Sequence, residues 1–177
     1  VGMTVPDCLC ITTGAYAAYI GATGIDGRIG LELNRKKFED MRWEEIWDAS
    51  LRIRNIFLRT PLPRDLEEDL AASLAAVFPH EQPVVVRSSA PGEDSAQMSF
   101  AGLHESYVNV RGVAAILDHV RLVWASLWSD RALLYRKELG LDIRQSTMAV
   151  VVQELAAGER SGIIFTMSPE QAGQAVD

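Results

Sequence analysis

Residues 84–110 read VVVRSSAPGEDSAQMSFAGLHESYVNV. The first three residues of this stretch are β-branched and form a run of strand length, and residues 104–110 alternate polar and apolar side chains as a strand does. The segment between them is rich in Pro, Gly, Ser and Ala, which is typical of a loop. The stretch therefore predicts two strands joined by a small-residue connection.

Outward from this stretch, the spacing of apolar residues predicts both helices and strands. Helices are predicted at 14–20, 44–58, 65–78 and 113–128, with a fifth capped by Ser129 or Asp130, and further strands at 148–152 and 163–166. Glycines 21, 24 and 27 predict a loop after the first helix. Helices followed by mixed strands and helices indicate an α+β fold. We expect one body, mainly helical at 1–80 and mixed at 81–177.

Composition excludes several classes of function. The net charge of −7 argues against a nucleic-acid-binding surface, which requires a clustered basic face. No apolar run approaches the roughly 20 residues of a membrane helix. Cys8 and Cys10 are too close for an unstrained disulfide and are predicted to be reduced thiols, so we expect a cytoplasmic protein. The opening residues VGMTVP read as the interior of a longer chain.

The central stretch also has the layout of a phosphate-binding site. A strand ends at Arg87, whose guanidinium matches phosphate oxygens, while Gly102 permits close backbone approach and Ser106 offers a hydroxyl. These residue types by themselves leave a second interpretation open. Arg87 can instead pair with Glu93 or Asp94 in an ordinary surface turn.

Several motifs together resemble one family. The stretch 84–110 is very similar to the signature of the nucleotide-binding domain of phosphoenolpyruvate synthases and pyruvate phosphate dikinases. The other similar motifs follow in the family's order: VPDCLCITTGAY at 5–16, WASLWSDRALLYR at 124–136, VVVQEL at 150–155 and SGIIFTMSP at 161–169. The resemblance spans most of the chain and is least distinctive at 21–80.

The resemblance implies part of an ATP-grasp domain, the N-terminal lobe and the start of the second lobe, with nucleotide held between the lobes. It assigns Arg87 to the ATP phosphates, Gly102 and Ser106 to the phosphate-chain loop, and Gln153 to the side of the adenine. Threonine is usual in the family at position 106, and serine keeps the hydroxyl. No catalytic residue and no metal ligand is assigned in this chain.

The function implied is that of an ATP-dependent phosphotransferase of the dikinase type. Such an enzyme moves a phosphoryl group from ATP to a carrier histidine and on to pyruvate, forming phosphoenolpyruvate. Mg²⁺ is expected as a cofactor with its ligands outside this chain, as are a phosphohistidine domain and a pyruvate-binding domain as partners. By itself the chain is expected to be inactive.

Three alternatives remain at this point. The acceptor can differ, since rifampicin phosphotransferases and glucan dikinases use a similar domain; the chain can be a noncatalytic nucleotide-binding or regulatory module; or it can be an α+β fragment that binds no ligand.

Other chemically notable residues receive no site role from the sequence. Arg131 and Arg136 are left unassigned between phosphate contacts and surface ion pairs with Asp130 or Glu138. Isolated histidines are most often structural, and tryptophans at helical spacing are predicted to lie in the core. The residues concerned are His104, His119, Trp43, Trp47, Trp124 and Trp128.

Overall fold

The computed structural model describes residues 5–89, 94–95, 98–99, 105–143, 146–156 and 158. The strands are β1 (Cys8–Ile11), β2 (Val84–Ser89), β3 (Asp94–Ser95), β4 (Met98–Ser99), β5 (Ser106–Val110) and β6 (Ala149–Glu154). The helices are α1 (Thr13–Thr23), α2 (Ile25–Leu33), α3 (Trp43–Arg59), α4 (Arg64–Val77), α5 (Val113–Ser126) and α6 (Asp130–Glu138), with a 3-10 turn at Phe38–Asp40. The predicted α+β class is confirmed. None of the helices in these ranges has the length and hydropathy needed to cross a membrane.

Four strands form one antiparallel sheet in the order β1-β6-β2-β5, and β3 pairs with β4 in a separate two-stranded ladder. Alternate residues of a strand point to opposite faces of its sheet. The face that packs on helices carries the buried residues Ile11, Val84, Val86, Val110, Val150 and Val152. The opposite face carries side chains that are exposed or half-buried, among them Arg87, Val151 and Gln153. We refer to it as the open face.

A cluster of large aromatic side chains joins the helices to one another. Tyr19 stacks on Trp124 with ring centroids 5.3 Å apart, and Tyr16 meets Trp124 edge-on at 5.8 Å. Phe57 of α3 completes the cluster against both tyrosines. The tyrosine hydroxyls are satisfied, since Tyr19 donates to the Thr60 carbonyl at 2.7 Å and Tyr16 accepts from the Trp128 indole at 3.2 Å. The cluster thereby joins α1, α3 and α5, of which α1 and α5 also pack on the sheet.

The helices predicted from long apolar periodicities were close to those observed. The prediction of a loop around the three glycines was wrong. Gly24 alone interrupts the chain, with a left-handed φ of 66° that ends α1, and Gly27 lies inside α2. Ile25, Ile29 and Leu33 are buried on one face of α2, so their packing outweighs the low helix propensity of glycine. Strand β1 was not predicted from the sequence. The predicted strand at 163–166 lies outside the described residues.

The prediction that all four tryptophans lie in the core was half right. Trp124 and Trp128 are buried, whereas Trp43 and Trp47 have exposed fractions of 57% and 44%. The buried face of α3 is formed by Ile46, Ala49, Ser50, Ile53 and Phe57. Trp43 and Trp47 lie beside this face rather than on it, because 3.6 residues per turn place them at its edge. Helical spacing alone does not distinguish the centre of a stripe from its border.

Candidate functional site

Arg87 and Ser106 are neighbours across two strands. In the ladder between β2 and β5, Arg87 is paired with Ser106, and both side chains are exposed. Directly opposed residues of an antiparallel pair have Cβ atoms about 5 Å apart. Because paired residues point to the same face, the guanidinium and the hydroxyl stand together on the open face.

Gln153 lies on the strand on the other side of Arg87. In the ladder between β2 and β6, Arg87 is paired with Val151 and Val85 with Gln153. Gln153 is therefore diagonal to Arg87 on the same face, about 7 Å away between Cα atoms. Three of the four predicted site residues are brought to one patch, which we call the Arg87 patch: Arg87, Ser106 and Gln153. The fourth, Gly102, lies outside the described residues.

The patch offers one cation, one hydroxyl and one amide. None of the three side chains makes a hydrogen bond or ion pair within the part of the chain that the structure describes. The alternative in which Arg87 pairs with Glu93 or Asp94 falls on side chains outside that part. A guanidinium beside a hydroxyl suits an oxyanion, and a primary amide both donates to and accepts from the edge of a heterocyclic base. The chemistry of the patch fits a nucleotide.

A polar cluster behind the patch was not found from the sequence. The Arg54 guanidinium contacts the Glu105 carboxylate at 2.7 Å, and the Tyr107 hydroxyl donates to the same carboxylate. Burial, together with this carboxylate, raises the pKa of Tyr107 above its usual value. His119 meets Tyr107 edge-on at 4.8 Å, which is a packing role. Glu105 follows Gly102 within FAGLHES, but no sequence signal links it to Arg54, 51 residues away.

Arg136 does not belong to the patch. Its side chain is buried, and Nη1 donates to the Leu127 carbonyl at 2.6 Å, tying α6 to the end of α5. Burial lowers the pKa of Arg136 to about 10, opposed in part by Tyr16. Arg136 thus lies in the interior, in contrast to the suggested surface ion pair with Asp130 or Glu138. Arg131 of the same helix is exposed.

A cavity of about 520 Å³ lies away from the patch, between α1, α2 and Trp128. Its described polar lining consists mainly of Asp26, Asn34, Ser146 and Thr147, and none of the described lining residues is Lys or Arg. The described lining residues therefore offer no cation to nucleotide phosphates.

No metal centre is formed by the part of the chain that is described. Among those residues, no three His, Cys, Asp or Glu side chains are close enough to hold an ion. The described residues therefore do not supply a magnesium site, and the expected magnesium ligands stay a prediction.

Sequence comparison identifies the chain's relatives. The sequence model of the family described as "Pyruvate phosphate dikinase, AMP/ATP-binding domain" matches residues 1–176. The chain belongs to this family. As a member of the pyruvate phosphate dikinase AMP/ATP-binding family, it is related to ATP-dependent phosphotransferases, and ATP is the ligand that the family description supports.

Relatives of two kinds are similar to this family member. It is 40% identical over 172 residues to the phosphoenolpyruvate synthase of Aeropyrum pernix, covering 95% of this chain and 21% of that protein. It is 38% identical over 168 residues to the rifampicin phosphotransferase of Bacillus cereus, covering 95% and 19%. A probable phosphoenolpyruvate synthase of Methanothermobacter thermautotrophicus is 33% identical over 172 residues, with 95% and 25% covered. The chain thus spans about a fifth to a quarter of their length.

Proposed function

We propose that the open face of the sheet is the ATP-binding surface of an ATP-dependent phosphotransferase. The observation that carries the proposal is the strand register. It places Ser106 opposite Arg87 and Gln153 diagonal to Arg87 on the open face, where the described strand residues are exposed or half-buried. The family supports the ligand class, and the register supports this location.

In this proposal Arg87 and Ser106 hold the phosphate chain. The guanidinium supplies charge and a planar set of donors, and the hydroxyl donates to a further phosphate oxygen. Gly102 is assigned to the same chain, where a residue without a Cβ lets backbone N–H groups approach the phosphates. The protein has a net charge of −7, so attraction of the polyanion depends on these local donors rather than on the overall field.

Gln153 is assigned to the adenine. Its side chain is half-buried on β6, the strand between β1 and β2, and lies on the open face diagonal to Arg87. An amide can satisfy the donor and acceptor groups of a base edge together. The patch thereby separates a phosphate end at Arg87 and Ser106 from a base end at Gln153.

The architecture proposed is the N-terminal lobe and the start of the second lobe of one ATP-grasp domain. Residues 1–177 form a single unit, with a mainly helical part at 1–80 and a mixed part at 81–177. A second lobe would cover the open face and enclose the nucleotide. Magnesium ligands are assigned to segments outside these residues, and the cytoplasm remains the proposed location.

The overall reaction proposed is transfer of a phosphoryl group from ATP through a carrier histidine to pyruvate, with the histidine and acceptor sites in partner domains. The contribution of the patch is positioning and charge neutralisation, which dominate catalysis of phosphoryl transfer. Acting alone, the chain is proposed to lack activity. The similarity to rifampicin phosphotransferases favours a second candidate with the same ATP chemistry and a different acceptor.

Calorimetric titration with ATP and magnesium tests the proposal, in the intact protein that carries these residues. We expect saturable binding that weakens at least about tenfold in Arg87→Ala, since a charge-assisted contact contributes about 1.5–3 kcal/mol. The matched control is Arg111→Ala, which removes an exposed arginine directly after β5 and is expected to leave the dissociation constant unchanged.

Two results would contradict the proposal. A folded wild-type protein that binds no nucleotide would remove the ATP-binding assignment and favour a regulatory module. Equal effects of Arg87→Ala and Arg111→Ala would place the site away from the open face. The acceptor is tested separately, by asking whether ATP consumption depends on pyruvate or on rifampicin.

A further inference from the structure

The register of β5 changes along its length. Val84 is paired with Val110, but Val86 is paired with Tyr107 and Arg87 with Ser106, so β5 carries one extra residue between these pairs. Asn109 at this point has a left-handed φ of 61°, as in a β-bulge. Because of the bulge, the buried pair at Val110 does not by itself fix which residue lies opposite Arg87. A slip of one residue would turn the Ser106 hydroxyl to the helix side.

Three contacts hold the chain immediately before Ser106, and all of them converge on Glu105. The Arg54 Nη2 and Glu105 Oε1 atoms are 2.7 Å apart, and the Tyr107 hydroxyl donates to the other carboxylate oxygen. The backbone N–H of Glu105 donates to Ser126 Oγ at 3.2 Å. Ser126 is itself buried and donates to the Val123 carbonyl at 2.7 Å. Glu105 is thus tied to α3, to α5 and to β5, the strand that begins at the next residue.

These contacts lie on the side of the sheet opposite to the patch. Glu105 and Tyr107 are two residues apart and reach each other, so they share one side of the strand, and Tyr107 packs against His119 of α5. Ser106 lies between them and points the other way. Fixing Glu105 and Tyr107 against the helices therefore fixes the Ser106 side chain on the open face, beside Arg87.

We propose that Glu105 is a positioning residue for the phosphate end of the nucleotide site. Held by Arg54, Tyr107 and Ser126, it sets the register of β5 that places the Ser106 hydroxyl next to Arg87. The inference rests on the proposed function, and it adds a residue that never touches the nucleotide.

Stabilisation of the fold is a weaker explanation for the cluster. The side chains of Arg54 and Glu105 have exposed fractions of 32% and 37%. Ion pairs that are exposed to solvent contribute little to stability. A phenol is protonated at neutral pH, so the Tyr107 hydroxyl is a donor to Glu105 there. The cluster joins α3, α5 and β5 at the residue before Ser106. This arrangement favours a role in positioning Ser106 over a role in stability.

The test compares ATP with AMP, which shares the adenosine and one phosphate. We expect Glu105→Ala and Arg54→Ala, made in the intact protein, to weaken ATP binding about tenfold, the equivalent of one well-placed hydrogen bond. The factor by which AMP binding weakens should be at least about five times smaller than the factor for ATP, because AMP binding depends more on the base end of the patch. Arg54→Lys keeps the charge and should restore most of the ATP affinity.

Control variants separate positioning from general destabilisation. Arg64→Ala breaks the Arg64–Glu68 pair, whose atoms are also 2.7 Å apart but which lies on α4, and it should change neither affinity. Glu105→Gln keeps the shape and one acceptor oxygen, so it provides a folded variant if Glu105→Ala does not fold. Melting temperatures are measured for every variant.

The outcomes are distinct. Selective loss of ATP affinity in both variants, with rescue by Arg54→Lys, supports the inference. If the wild-type protein binds ATP and the folded variants lose ATP and AMP affinity equally, or lose neither, Glu105 has no positioning role. If the wild-type protein binds neither nucleotide, the proposed function fails and this inference fails with it.

Discussion

Cys8 of β1 lies directly opposite Gln153 of β6, and both residues belong to the open face of the sheet. Cys8 is a free, exposed thiol. The thiol therefore reports on the base end of the Arg87 patch without belonging to the set of residues assigned to the nucleotide.

A bound nucleotide should therefore slow alkylation of Cys8. In a Cys10→Ala variant, we expect saturating ATP to reduce the rate of N-ethylmaleimide labelling at Cys8 by about tenfold or more, since a bound ligand excludes the reagent from most of its site. Mass spectrometry of the labelled peptide measures the rate. An unchanged rate at saturating ATP would show that the base does not lie beside Gln153.

Ser106 should contribute through its hydroxyl alone. We expect Ser106→Ala to weaken ATP binding about tenfold, because one hydrogen bond to a charged phosphate is lost, and Ser106→Thr to stay within about threefold of the wild type. The control is Ser73→Ala on α4, where the hydroxyl donates to the Asp69 carbonyl on an exposed helix face. Equal binding by Ser106→Ala and the wild type would remove Ser106 from the site.

Arg136 should matter for stability and not for nucleotide binding. Replacing it with Met leaves the Leu127 carbonyl without its donor, so we expect a loss of about 2 kcal/mol in the free energy of unfolding. Arg131→Met, at an exposed position of the same helix, should cost under about 0.5 kcal/mol. Urea unfolding followed by circular dichroism provides the comparison. A similar loss in both variants would contradict the structural role assigned to Arg136.

Stability should fall at alkaline pH because of the buried tyrosines. Burial raises the pKa of Tyr16 and of Tyr19 from 10.0 to about 12. The folded state then keeps protons that the unfolded state releases, so this stabilisation is complete below pH 10 and is lost as the pH rises towards 12. For Tyr16 the loss is at most about 3 kcal/mol. Arg136, whose pKa is lowered, opposes the trend over the same range because the unfolded state keeps its proton longer.

Urea unfolding at pH 8, 10 and 11.5 measures this dependence. We expect the free energy of unfolding to be flat up to pH 10 and to decline above it, with a shallower decline in Tyr16→Phe. Stability that rises between pH 10 and 11.5 would mean that deprotonation of Arg136 affects stability more than ionisation of the tyrosines does.

Much of the fold followed from local patterns. The apolar residues of α3 and α5 recur at helical spacing, so the predicted ranges 44–58 and 113–128 fall close to Trp43–Arg59 and Val113–Ser126. Strand β2 was recognised from its β-branched start. Helix α2 was missed because glycine suggests a break wherever it occurs, and only burial of Ile29 against the rest of the core shows otherwise.

The candidate site residues were predictable from the sequence, whereas the contacts around Glu105 that lie behind them were not. The family resemblance selected Arg87, Gly102, Ser106 and Gln153, and these assignments stay predictions until binding is measured. Glu105 was overlooked because a carboxylate near a proposed phosphate site has no evident use there. Its role emerges from Arg54, which contacts it at 2.7 Å.

Local periodicity and contiguous motifs were enough to predict most of the helices and strands, the family and the candidate ligand-binding side chains, but not β1 or α2. Tertiary structure decided which strands are neighbours, which residues face one another and which face of the sheet is left open. The physical reason is that a strand's period of two defines two faces but not its partner or its register. Those are set by packing and by contacts such as Arg54 with Glu105, between residues far apart in the chain.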